Sequence, residues 1–158
     1  MELTSEDIND GAKLPERHVF NGMGYSGENL SPHLAWDEVP DGTKSFVVTC
    51  FDPDAPTGSG WWHWVVANLP ADVRELPRGV GSGSATLPQG AIQTRTDFGT
   101  AGYGGAAPPA GESHRYIFTV HALDVPAIEV DENASGAMVG FNVHFHSLGK
   151  ASLTARYI

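Results

Sequence analysis

The sequence predicts a mainly β protein with one helix near its C-terminus. Three observations carry that prediction. First, the runs Ser45–Asp52 (SFVVTCFD), His63–Pro70 (HWVVANLP) and His114–Asp124 (HRYIFTVHALD) are short, rich in β-branched and aromatic residues, and bounded by Gly, Pro and Asp. Second, the segments between them are dense in turn-forming residues. Third, the apolar period lengthens late in the chain from two to about three and a half, the period of a helix.

Taken in order, FNGMGYSGENLSPHLAW (Phe20–Trp36) near the start of the chain is a loop-rich approach to the first strong strand. DPDAPTGSGWW (Asp52–Trp62) joins the first two strands. The stretch Gly79–Ser113 is about 35 residues long, a length uncommon in a compact domain unless short strands interrupt it or it builds a site. ATLPQGAIQT (Ala85–Thr94) supplies a short edge strand there, weakened by Pro88. Ala134, Met138, Phe141, Phe145 and Leu148 then form an apolar helical stripe. Asp131 is the expected N-cap, with Glu132 and Asn133 in the first turn, and Gly149 stands at the C-terminal end. ASLTARYI (Ala151–Ile158) reads as a closing strand. No repeat or break in composition divides the chain, so residues 1–158 form one expected domain.

Composition narrows the partners. Nineteen acidic residues against nine basic ones give a net charge of −10, and 41% of residues are hydrophobic. That apolar content is too high for a disordered acidic tail, and the negative surface opposes a phosphate backbone, so nucleic acid is excluded. No segment suits stable membrane insertion. MELTSEDIND has no basic leader or apolar signal core, which predicts a cytoplasmic protein. The single cysteine, Cys50, lies inside an apolar run and is expected to be a buried structural thiol. Only Lys13, Lys44 and Lys150 are lysines; with the acid excess this suggests adaptation to high salt.

The chemistry-bearing residues fall at strand ends. Asp52 and Asp54 sit two apart in DPDAP, where Pro53 and Pro56 restrict the backbone as the chain leaves a buried strand. His63 lies among Trp61, Trp62 and Trp64, an apolar setting that favours neutral imidazole unless an acidic neighbour opposes it. In HRY, strand alternation puts His114 and Tyr116 on one face and Arg115 on the other, with Asp54 an expected partner for the arginine. The glycines of GYGG (Gly102–Gly105) could turn successive N–H groups inward as an anion nest.

Other chemistries are poorly supported. GVGSGS lacks the Lys and following Ser or Thr of a nucleotide-binding loop, and no Ser-centred nucleophile elbow occurs. Asp52, Asp54, His63 and His114 match no compact zinc spacing, so no metal or other cofactor is expected. His144 and His146 are two apart on a predicted helix and do not face each other. No catalytic residue is assigned.

FNGMGYSGENLSPHLAW, DPDAP, WHWVVANLP, GYGG, PPAGESHRY and the closing LTARY together resemble the phosphatidylethanolamine-binding protein family, in its compact bacterial and archaeal Raf-kinase-inhibitor-like branch. The motifs run in order from Val19 to Tyr157. The resemblance implies a large antiparallel sheet packed against a smaller sheet, with a helix near the C-terminal end. It also implies a small anion pocket walled by Asp52, His63, His114 and Tyr116, with Asp54 organising the rim and Pro109 shaping the entrance. Homodimers are expected by the same resemblance. Ala106 and Ala107 replace the proline usual after the two glycines, which implies a freer pocket loop.

These readings converge on binding of a phosphate or phosphorylated small ligand or head group, with modulation of a partner enzyme through the surrounding loops. His63 and His114 would donate to the anion, Tyr116 would add a hydroxyl, and Asp52 would orient one imidazole. Two alternatives stay open. One is a small hydrolase or isomerase using His and Asp as acid and base. The other is a protein-interaction inhibitor whose pocket is vestigial.

Overall fold

A computed structural model describes residues 1–158 as two antiparallel sheets and one α-helix. The small sheet contains β1 (Glu2–Thr4), β2 (Leu34–Asp37) and β5 (Glu75–Leu76), in the order β1-β2-β5. The large sheet contains β3 (Ser45–Asp52), β4 (Trp61–Pro70), β6 (Ile92–Gln93), β7 (His114–Leu123) and β8 (Ser147–Tyr157). Its order is β6-β4-β3-β7-β8, so β3 is central.

The burial of β3 explains why its sequence is apolar without alternation. Phe46, Val48 and Cys50 face the small sheet and pack with Leu3, Leu34, Trp36, Trp64, Phe118 and Val120. Val47 faces the other way and packs with Val65, Ala67, Leu123, Ile128, Val139 and Val143. A strand covered on both faces loses the two-residue hydropathy period. Trp36 and Phe46, with ring centroids 5.5 Å apart, join the two sheets. Cys50 is 1% exposed, and burial pushes its thiol well above the usual range.

The helix α1 (Gly136–His146) differs from the sequence expectation at both ends and in the face it buries. Ser135 is its N-cap, with Oγ accepting from Met138 N at 3.1 Å. Asp131 instead closes an upstream turn by accepting from Asn133 N at 2.9 Å. Gly136, Val139 and Val143 face the sheet, whereas Met138, Phe141 and Phe145 are 52%, 63% and 64% exposed. A Cβ on Gly136 would overlap the Trp62 ring, so the helix approaches too closely for large side chains on its inner face. The chain enters β8 directly after the helix, and Leu148 and Gly149 are strand residues, Gly149 opposite Ala122.

Both termini of β4 depend on irregular pairing. Cys50 pairs with Trp64 while Phe51 pairs with Trp62, leaving His63 as an extra residue. A second irregularity follows at Asn68, whose φ is 60° and whose amide bonds Ile128 N at 2.9 Å. The edge strand expected in Ala85–Thr94 is reduced to Ile92–Gln93, beyond Pro88.

Candidate functional site

A cavity of about 210 Å³ opens where the end of β3, the start of β4 and the start of β7 meet. Asp52, His63, Pro109, His114 and Tyr116 line it, together with Met23, Ala55, Pro56, Thr57, Trp61, Phe98, Ala107 and Pro108. Five of the six residues singled out in the sequence therefore share one wall. Asp54 stands outside that lining.

Antiparallel pairing of β3 with β7 brings Asp52 beside His114. Asp52 Oδ2 accepts from His114 Nδ1 at 2.7 Å, and Asp52 Oδ1 accepts from Asp54 N at 2.8 Å. Asp54 then accepts from Arg115 through Nε at 3.0 Å and Nη2 at 2.8 Å, as well as from the Arg115 N–H at 2.9 Å. This fork holds the Asp54 carboxyl down to about 2, chiefly through the Arg115 side-chain hydrogen bond. Asp54 thereby fastens the DPDAP turn to β7 from the side opposite the cavity.

The extra residue in β4 is what turns His63 into the cavity. Trp62 packs beneath the helix and Trp64 in the main core, and the bulge lets His63 share the inner side with Trp64. His63 Nδ1 lies 2.7 Å from Gly104 O, so Nδ1 carries the hydrogen and donates to that carbonyl. Burial depresses the His63 pKa, opposed by the Gly104 bond and by Asp52. The neutral ring then offers a lone pair at Nε2, and donation to an anion from that nitrogen requires its protonation.

His114 behaves oppositely. Burial disfavours its charge, but bonds to Glu112 and Asp52 outweigh that cost and raise its pKa. Its second nitrogen, Nε2, meets Glu112 Oε1 at 2.9 Å. Tyr116 is 1% exposed, and its hydroxyl has no hydrogen-bond partner. Its ring stands edge-on to His63, centroids 5.1 Å apart.

The glycine loop works by close approach. Gly104 N donates to His63 O at 2.9 Å and Gly105 N donates to Asn29 Oδ1 at 2.7 Å, so neither N–H is available to an anion nest. A Cβ at Gly104 would overlap Phe98, and one at Gly105 would overlap His18 O. Ala106 is buried and accepts from Phe20 N at 2.9 Å, which fixes the position where greater freedom was expected.

Glu112 and Phe98 escaped the sequence reading. Glu112 had a visible signal in its place two residues before His114, near enough along the chain to reach that imidazole although β7 begins only at His114. Phe98 had none. Asp97 accepts from Trp62 N at 2.7 Å, anchoring an irregular loop that sets Phe98 beside His63 with centroids 5.5 Å apart. A three-carboxylate group able to hold a metal occurs at exposed Glu2, Asp37 and Glu38, away from this cavity.

The sequence model of the family described as phosphatidylethanolamine-binding protein matches residues 4–158. The chain belongs to the phosphatidylethanolamine-binding protein family. It is 74% identical over 157 residues to the UPF0098 protein YbhB of Escherichia coli K12, covering 99% of each chain. UPF0098 protein YbcL of the same organism is 52% identical over 158 residues, 99% of this chain and 86% of that one. The crystal structure of E. coli YbcL, described as a new member of the mammalian PEBP family, superposes with a TM-score of 0.96, covering 99% and 96% of the two chains at 52% identity. CT736 of Chlamydia trachomatis, described as a putative PEBP homolog, superposes at 0.84 with 30% identity, again over 99% and 96%. The large and small sheets and the late helix are thus the architecture of this family. No helix in the structure is long and apolar enough to cross a membrane.

Proposed function

We propose that the cavity binds phosphate or a phosphorylated small ligand or head group. The observation that carries this reading is the Tyr116 hydroxyl, buried without a partner in a cavity wall that His114, an imidazole of raised pKa, also lines. An unpartnered buried hydroxyl is costly, and a ligand oxygen would satisfy it. Neutral His63 adds selectivity: a phosphate oxygen that carries a proton can donate to Nε2, whereas a fully ionised oxygen requires that nitrogen to be protonated first.

Calorimetry in chloride buffer with inorganic phosphate, phosphoethanolamine and short phosphopeptides tests the reading. Affinity should rise on lowering the pH from about 8 to about 6, as imidazole protonation becomes more favourable. Absence of heat for the whole set at both pH values would sink the proposal.

The setting we infer is cytoplasmic and of high ionic strength, from the charge of −10 and the scarcity of lysine. Met23, 70% exposed at the cavity, supports the reading that a partner enzyme is modulated around this rim. We propose self-association through the outer face of α1, where Met138, Phe141 and Phe145 are exposed and uncharged. Two strongly acidic copies can meet there without opposing carboxylates.

A further inference from the structure

We infer that Glu112 is a displaceable internal ligand of His114, a residue of the cavity wall, and occupies the donor that an external anion would use. This rests on the anion-binding reading above. His114 Nδ1 meets Asp52 at 2.7 Å and Nε2 meets Glu112 at 2.9 Å. Ionised carboxylates only accept, so both ring nitrogens carry hydrogens and both are engaged. No N–H of this imidazolium is free for a ligand while Glu112 stays in place.

The two carboxylates are not equivalent. The Asp52 side chain is 3% exposed and fixed by Asp54 N, whereas that of Glu112 is 47% exposed. Glu112 also lies in an exposed turn, with its N–H donating to Pro109 O at 3.1 Å and Gly111 at a φ of 85°. Moving it requires a rotamer change in a solvated side chain. Moving Asp52 would uncover a buried charge.

Displacement also selects the ligand. Acetate replacing Glu112 exchanges one carboxylate for another and gains little. A tetrahedral oxyanion can place one oxygen on His114 Nε2 and direct another toward the Tyr116 hydroxyl, which Glu112 leaves unbonded. Glu112 therefore sets a threshold that favours phosphate-type anions over simple carboxylates.

The experiment is calorimetric titration of inorganic phosphate, with acetate in parallel, into the wild type, Glu112→Ala and Glu112→Asp. Emptying the His114 donor should tighten phosphate binding about threefold to tenfold, since apparent affinity scales with the fraction of competent sites. Glu112→Asp keeps the charge but withdraws the carboxylate by one methylene, and it should also tighten binding. Phosphate binding by the wild type with no gain in either variant overturns the displacement while leaving the pocket reading intact. A gain in Glu112→Ala alone also overturns it, because that assigns the effect to charge at a distance. Failure of all three proteins to bind phosphate removes both. A phosphate-over-acetate preference that narrows in both variants, together with tighter phosphate, is the result that supports the threshold.

Discussion

Asp52 Oδ2 accepts from His114 Nδ1 at 2.7 Å, and each side chain is only 3% exposed. The pair joins the last residue of β3 to the first of β7, so it is both a strand-end clasp and the wall of the cavity. Burial alone would discharge His114; the two carboxylates reverse that, and the folded pKa stands above the unfolded one. The resulting stabilisation is present below the unfolded pKa and is lost as the pH rises through the folded value.

Asp52→Asn should accordingly lower the His114 pKa, followed by its imidazole NMR signals. The variant should lose about 1–3 kcal/mol of stability below the unfolded imidazole pKa and less in alkaline buffer. An unchanged His114 titration would contradict the coupling.

Tyr116→Phe separates stability from binding. The hydroxyl is buried without a partner, so its removal should leave the free protein equally stable or up to about 1 kcal/mol more stable. Phosphate affinity should fall about fivefold to tenfold for loss of one hydrogen bond. Urea unfolding and calorimetry on the same preparation read the two effects; a loss of stability with unchanged affinity would reverse the assignment.

His121 predicts acid lability on the opposite face of the sheet. Burial, reinforced by Lys150 across the strand pair, depresses its pKa from 6.5 to about 4. A histidine whose folded pKa is lowered stabilises the protein above its unfolded pKa, and that stability drains as the pH falls from 6.5 toward 4. The loss is at most about 3 kcal/mol. His121→Leu should flatten the corresponding slope of unfolding free energy against pH, while an unaltered slope would assign the acid loss to other groups.

Gly136→Ala should destabilise the protein although alanine is the better helix former. The propensity gain is below about 1 kcal/mol, and overlap of the new methyl with Trp62 costs about 1–3 kcal/mol. A lower thermal midpoint with altered tryptophan fluorescence is expected. Gly140→Ala, with open space around its Cβ, should behave oppositely and stabilise.

On the proposed α1 contact, Phe141→Glu should abolish self-association measured by sedimentation and leave the unfolding free energy of the monomer within about 0.5 kcal/mol, since the residue is 63% exposed. Association that persists in this variant and in Phe145→Glu would place the contact elsewhere.

The strands were legible because their residues carry the cause of their burial locally. SFVVTCFD and HRYIFTVHAL match β3 and β7 within one residue, and DPDAP and HRY announce the turn and strand start that the Asp54–Arg115 fork joins. The helix was legible as a helix but not in orientation. Apolar residues lie on two of its faces, and the side that packs is decided by Gly136 fitting against Trp62, a contact 74 residues apart in sequence.

The sequence by itself determined the residue chemistry: the acidic surface, the apolar central strand, and a set of strand-end carboxylates, imidazoles and a phenol. Only the tertiary structure decided their states. The β4 bulge turns His63 inward, Gly104 fixes its tautomer, and Glu112 fills the His114 donor. Protonation and hydrogen-bond direction depend on burial and on partners distant in the chain, and neither is encoded in local spacing.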